Sequence, residues 1–346
     1  MRKPSVLLIY TGGTIGMLED PRTGSLRPME FSHLIDAVPE LARFNVDLDW
    51  VSFEHPIDSS DAGIKDWQRI ATMIEVNYSG YDGFVVLHGT DTMSYSASAL
   101  SFMLHNLAKP VVFTGSQLPV GRLRTDGKDN LITSIEIAAA RSGERALINE
   151  VVLCFESNIY RGNRTMKFNT EDFDAFSSPN YPALATAGIH ISYKKEHMLP
   201  SPNGAFKILK ELEPRVAVLR LFPGITEQTV RSLIEIEGIQ GILLETYGSG
   251  NAPSAKWFIS ALKDALSKGI VLANVTQCSK GFVEQGRYET SSALHSLGVW
   301  GAGDMTFEAA VTKLMFVLAQ ELSREEQEYL YSTGLRGELT TYSAIV

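Results

Sequence analysis

Cysteine is scarce, with two residues in a chain of 346. Cys154, inside "VVLCFES", and Cys278, in "TQCSKG", have neither metal-ligand nor redox spacing. They read as packing residues, not as a disulfide framework. Long apolar runs are missing as well: no stretch approaches the roughly 18 consecutive apolar residues of a membrane-spanning helix. The opening "MRKPSVLLIYTGG" has no extended apolar segment followed by a small-residue cleavage site, so a cytoplasmic protein without membrane attachment is expected. There is no basic excess either, since 31 Lys and Arg face 40 Asp and Glu for a formal charge of −9. That balance disfavours nucleic acid as a partner, because binding it requires a basic face that displaces counterions from phosphates. The seven histidines form no HExxH pair, so no metal site is expected.

What is present is a succession of short apolar runs. They are "VLLIY" at 6, "GFVVLH" at 83, "PVVFTG" at 110, "EVVLCF" at 150, "VAVLRL" at 216, "GILLE" at 241 and "GIVLANVT" at 269. Helix-compatible stretches separate several of them, at 64–78, 95–107, 130–142, 226–237 and 254–267. This alternation predicts an α/β fold of mainly parallel sheets with helices on both faces. Between Tyr193 and Pro214 charge, proline and glycine mix in "YKKEHMLPSPNGAFKILKELEP", and the interdomain connection is expected there. A larger amino-terminal domain over 1–192 and a smaller α/β domain over 215–346 would flank that linker, 193–214.

The polar motifs follow the apolar runs, where ligands of parallel sheets bind. "VLLIYTGGTIGM" puts Thr11, Gly12, Gly13 and Thr14 directly after a strand. Such a loop is either a phosphate cradle or a catalytic loop whose glycines let a hydroxyl and backbone N–H groups approach a substrate. "LHGTDTMSYSASAL" places Thr90 and Asp91 after another strand, and neither loop contains a basic residue or the GxxxxGK[ST] spacing. The phosphate reading thereby loses most of its weight. A threonine nucleophile needs a base or proton relay within hydrogen-bond reach. Lys167, in "IYRGNRTMKFNTEDFDAFSSPN", is available for that role or is simply a solvated surface lysine. "DSSDAG" at 58–63 is a candidate binding segment or a helix cap.

"YTGGTIG" and "LHGTDTMSYSASAL" resemble the two signature motifs of the bacterial-type L-asparaginase family. The resemblance continues through "DSSD", "GSQLP", "YRGNRTMK", "FDAFSSPN", "YGSGNAP", "TQC" and "GDMTFEAAVTKL", and "LRGELT" is similar to the cytoplasmic, type I branch. It implies hydrolysis of L-asparagine to aspartate and ammonia through an acyl-enzyme on Thr14. Thr90, Lys167 and Asp91 would then relay protons and activate water. Asp91 would also hold the substrate α-ammonium, and Ser60, with Ser59 and Asp61 beside it, the α-carboxylate. Gly89 and Thr90 would stabilise the oxyanion, and Asn251 would contribute across a subunit contact of a homodimer or homotetramer. No cofactor is implied. A dual glutaminase-asparaginase and a non-catalytic amino-acid sensor are the alternatives.

Two departures from the family pattern carry expectations. The segment after TGGT has no tyrosine, and Ser25 takes its place between Pro21, Gly24 and Pro28, which read as a mobile lid. Tyr288, in "EQGRYETSS", is the candidate substitute for the relay to Thr14. Glu245 and Met166 stand where some type I enzymes carry an arginine and a hydroxyl residue for an activating asparagine, so saturation without cooperativity is expected.

Overall fold

The apolar run after Pro4 becomes β1 (Ser5–Gly12), in which every residue beyond Ser5 is buried. It lies between β2 (Asp47–Ile57) and β3 (Gly83–Leu87), parallel to both. β4 (Val111–Thr114) and β5 (Val151–Phe155) continue the parallel array. β6 (Asn158–Arg161), β7 (Ala185–Thr186) and β8 (Ser192–Tyr193) extend it antiparallel. The order across this sheet is β8-β7-β6-β5-β4-β3-β1-β2. The computed structural model describes residues 2–19, 26–28, 38–284 and 294–340. Contacts divide the chain into two units, Met1–Lys210 and Glu211–Val346.

Successive strand residues point to opposite faces, and both faces of the large sheet are covered. Val6, Leu8, Val85, Val112 and Val152 pack with Leu131 and Ile135 of α3 (Gly127–Ala139). Leu7, Ile9, Phe84, Val86 and Phe113 are equally buried on the other side. This two-sided burial explains why β1, β3, β4 and β5 read as unbroken apolar runs. α1 (Ile64–Asn77) buries one stripe, Trp67, Ile70, Ala71 and Ile74. In α2 (Met93–Met103) every residue except Tyr95 is buried, and its serines and alanines are the small residues such a site requires.

β2 has no counterpart among the apolar runs. In "DLDWVSFEHPI" only Phe53 is fully buried, because the strand is the sheet edge and pairs on one side alone. Charged residues on an exposed edge discourage pairing with another chain. The division between the units falls inside the connection expected over 193–214. Ser192–Tyr193 pairs with Ala185–Thr186, and Lys207–Ile208 pairs antiparallel with Leu104–His105, so chain as far as Lys210 belongs to the first unit.

The second unit carries a four-stranded parallel sheet, β9 (Val216–Arg220), β10 (Gly241–Thr246), β11 (Val271–Thr276) and β12 (Trp300–Gly301), in that order. Its helices include α4 (Glu227–Ile234), α5 (Lys256–Ser267), α6 (Phe307–Leu318) and α7 (Arg324–Ser332). Thr226 and Ser323 cap α4 and α7 by accepting backbone N–H bonds from Thr229 and Glu326. The two cysteines part ways: Cys154 is buried, but Cys278 is exposed, which corrects its reading as a packing residue. Burial pushes the Cys154 thiol up to about 12.

Glu308, in the first turn of α6, is buried, and burial pushes its carboxyl from 4.5 up to about 7 against the hydrogen bonds from its own N–H and from Thr306. A raised acid binds its proton more tightly in the folded chain than in the unfolded one. Its contribution to stability is therefore fully present below the unfolded value and is lost as pH rises through the folded one. Glu308→Gln is expected to stabilise the protein by about 2 kcal/mol near pH 8 and by almost nothing near pH 4.5. Urea unfolding of both proteins at the two pH values checks this, and an equal effect at both would contradict it.

Candidate active site

The parallel part of the large sheet has the order β2-β1-β3-β4-β5, so the connections leaving β1 and β3 diverge and open a crevice at their carboxyl ends. The loops that meet there approach closely. Gly12 has φ 134° and Gly13 φ 88°. A Cβ on Gly12 would collide with the Ile57 carbonyl, and one on Gly13 with the Gly89 backbone. Glycine is needed twice, for the backbone angle and for the contact. The two threonines of this loop are used differently. Thr11 Oγ1 donates to the Leu87 carbonyl at 2.9 Å and ties the end of β1 to that of β3. Thr14 instead opens a short 3₁₀ turn, Thr14–Gly16, and lines a pocket of about 250 Å³. Tyr10 Oη holds that turn by donating to the Gly16 carbonyl at 3.0 Å.

Gly89, Thr90 and Asp91 line the same pocket, as does Lys167. Lys167 Nζ donates to Thr90 Oγ1 at 2.8 Å and to Asp91 Oδ1 at 2.6 Å. Its strand, Met166–Lys167, pairs antiparallel with Phe176–Ser177. With 14% of its side chain exposed, against 63% for Asp91, Lys167 is not a solvated surface lysine. Thr90 Oγ1 has a further partner, donating to Gln117 Oε1 at 3.3 Å. Hydroxyl, amine and carboxylate thus form one hydrogen-bonded line on the wall of the pocket that Thr14 also borders.

Sequence reasoning missed Gln117, Asp58, Met17 and Thr170, all of which line this pocket. Gln117 Nε2 donates to the Asp172 carbonyl at 3.1 Å. Its backbone N–H and that of Leu118 donate to Asp126, at 2.9 and 3.1 Å. Burial pushes the Asp126 carboxyl up, against those hydrogen bonds. "GSQLP" was the available signal for Gln117, and "DSSD" that for Asp58.

In the "DSSD" turn the structure separates the four residues. Ser59 is buried and Asp58 lines the pocket. Asp58 Oδ1 accepts from Ser60 N–H and from Ser60 Oγ, each at 2.9 Å, and these bonds hold its carboxyl below the usual range. Ser60 and Asp61 are exposed and do not line the pocket. Thr92 Oγ1 donates to the Ser59 carbonyl at 2.6 Å, fastening the turn to the HGT loop. Asn251 belongs to the second unit, where it closes a turn by backbone bonds with Tyr247 at 2.8 and 2.9 Å. There too Glu245 is paired with Arg220 at 3.2 Å. Tyr288 and the lid residues Pro21, Gly24 and Ser25 lie outside the described residues. Pro28 ends a short strand, Leu26–Pro28, that pairs antiparallel with Met17–Glu19.

No His, Cys, Asp or Glu group able to hold a metal ion occurs among the described residues, and none of their helices is long and apolar enough to cross a membrane. Residues 5–199 match the family description "Asparaginase, N-terminal", and residues 215–330 match "Glutaminase/Asparaginase C-terminal domain". The chain belongs to the asparaginase family. L-asparaginase 1 of Escherichia coli (strain K12) is 44% identical to it, over 98% of this chain and 99% of the relative. The crystal structure of L-asparaginase I from Vibrio cholerae O1 biovar eltor str. N16961 superposes with a TM-score of 0.89 at 40% identity, covering 98% and 100% of the two chains. The thermostable L-asparaginase from Thermococcus kodakarensis does so with a TM-score of 0.89 at 30% identity and the same coverage. Every pocket residue named above lies within the amino-terminal asparaginase domain of this chain.

Proposed function

We infer that the chain hydrolyses L-asparagine to L-aspartate and ammonia, with Thr14 as the nucleophile. The observation that carries this reading is the Thr90–Lys167–Asp91 line in the pocket that Thr14 borders. In the first half-reaction Thr14 Oγ attacks the side-chain carboxamide carbon while its proton passes to the leaving nitrogen. The C–N bond breaks, ammonia departs, and an ester joins Thr14 to the aspartyl group. In the second, water attacks the ester carbon, its proton passes through Thr90 and Lys167 to Thr14 Oγ, the bond from that carbon to Thr14 Oγ breaks, and aspartate leaves. Backbone N–H groups of the HGT loop face the oxyanion in both steps, each positioned donor contributing roughly 3 kcal/mol. Asp91 and Asp58 attract the substrate α-ammonium. Ser59 takes the α-carboxylate in preference to Ser60, whose hydroxyl is committed to Asp58. Tyr288 is proposed as the partner that completes the relay to Thr14. By likeness to the type I branch, the enzyme works in the cytoplasm as a homodimer or homotetramer in which Asn251 serves a neighbouring site.

Ammonia release as a function of asparagine concentration tests this reading. Saturable turnover is expected, at least tenfold faster in kcat/KM than with glutamine, because one extra methylene displaces the reacting carbonyl from Thr14 by roughly 1 Å, which can cost about 10²-fold. Saturable binding without ammonia would replace the enzyme with an amino-acid sensor. The same curve should be hyperbolic, with a Hill coefficient of about 1, since Glu245 would repel the α-carboxylate of a second asparagine. Clear sigmoidicity would contradict that.

A further inference from the structure

Behind the HGT loop lies a second hydrogen-bonded line that the proposed mechanism does not use. His88 is 2% exposed, and Trp67 and Ser96 are buried with it at 6% and 0%. His88 Nδ1 lies 2.7 Å from the Gly89 carbonyl oxygen. A carbonyl only accepts, so that nitrogen carries the proton. Nε2 is then the acceptor, and Ser96 Oγ donates to it at 2.9 Å. Ser96 Oγ in turn accepts from Trp67 Nε1 at 2.8 Å, an indole N–H being a donor only. Each donor meets one acceptor, and only the Nδ1–H tautomer satisfies the whole line. Burial pushes the ring's pKa down, which keeps it neutral.

The Gly89 carbonyl belongs to the peptide that joins Gly89 to Thr90, and no cis peptide occurs among the described residues. In a trans peptide the C=O and N–H bonds point to opposite sides. A carbonyl held toward the buried ring therefore aims the Thr90 N–H away from it. Gly89 and Thr90 line the pocket and His88 does not. Among the described residues no backbone carbonyl accepts from the Thr90 N–H. We propose that His88, as its Nδ1–H tautomer, is a positioning residue for amide hydrolysis: by holding the Gly89 carbonyl it aims the Thr90 N–H at the oxyanion formed when Thr14 attacks. The proposal rests on the reading of Thr14 and Thr90 given above. Ser96, which accepts from Trp67, keeps its own O–H for Nε2 and so favours that tautomer. The ring touches neither substrate nor reacting atoms.

Two measurements on the full enzyme test it. In the ¹⁵N histidine spectrum, assigned by comparison with His88→Asn, the ring should show a protonated Nδ1 and a bare Nε2. An Nε2–H form or an imidazolium overturns the proposal. In steady-state kinetics His88→Leu should lower kcat about tenfold with KM within about twofold, part of the roughly 10²–10³ lost with a whole oxyanion donor. His88→Asn, whose Nδ2–H can replace the ring's Nδ1–H, should recover kcat to within about threefold of the parent. Unchanged kcat in the leucine variant, or an equal loss in both, overturns the positioning role. Should the leucine variant not fold, the parent's tautomer and the asparagine variant decide. Failure of the Thr14 reading is a different result, namely a Thr14→Ala enzyme that keeps its turnover.

Discussion

Thr14→Ala is expected to lose ammonia release by about 10⁴- to 10⁶-fold, the size of loss seen when a hydroxyl nucleophile is removed from a cooperating set. Thr90 Oγ1, the other threonine hydroxyl of the two loops, is engaged by Lys167 and Gln117. Thr11→Val is the control from the same loop. It removes the bond to the Leu87 carbonyl and should cost about 1 kcal/mol of stability while leaving kcat within a few-fold. Ammonia assays and thermal unfolding of the two variants separate these effects. Equal kinetic losses would mean that the loop's shape, not the Thr14 hydroxyl, supports turnover.

Lys167→Met is expected to lower kcat by about 10³-fold, within the range of a lost acid–base group. Methionine keeps the length and apolar stem of lysine but cannot hold or pass a proton, so Thr90 loses its amine and keeps only Gln117. Stability should change by less than about 1 kcal/mol, because Asp91 is mostly exposed and water replaces the ammonium at its carboxylate. Lys167→Arg should not restore turnover, since a guanidinium stays protonated and presents a planar fork where a single donor is needed. Single-turnover ammonia release at several pH values is the measurement. An arginine variant with near-parent rates would reduce Lys167 to a fixed positive charge.

Much of this site was legible because its chemistry is local. "YTGGTIG" and "LHGTDT" each place a glycine beside a hydroxyl at the end of an apolar run, and a parallel sheet sends such ends to one rim. Thr14, Thr90 and Asp91 follow from that rule. Lys167 did not follow from its neighbours, because its contact with Thr90 joins residues 77 positions apart, which no local signal announces. The resemblance gave the α-carboxylate to Ser60, and the proposal moves it to Ser59. Adjacent serines in a turn face different ways, and only the fold buries the first and ties the second to Asp58. β2 was missed because an edge strand needs no apolar run. Gln117 was missed because its position depends on Asp126, nine residues further along the chain.

The sequence by itself determined the fold class, the parallel strands buried on both faces, the two hydroxyl-bearing loops that follow them and the lack of a GxxxxGK[ST] pattern in those loops. These are properties of hydrophobic periodicity and of residue types at short spacing, which act within one turn or one strand. The tertiary structure alone decided that Ser59 of the DSSD turn is buried and that Gln117 reaches Thr90. It also decided where the first unit ends. Each of those depends on contacts between residues far apart in sequence, such as the 77 positions between Thr90 and Lys167. Chain entropy must be overcome by the whole core before any such contact exists.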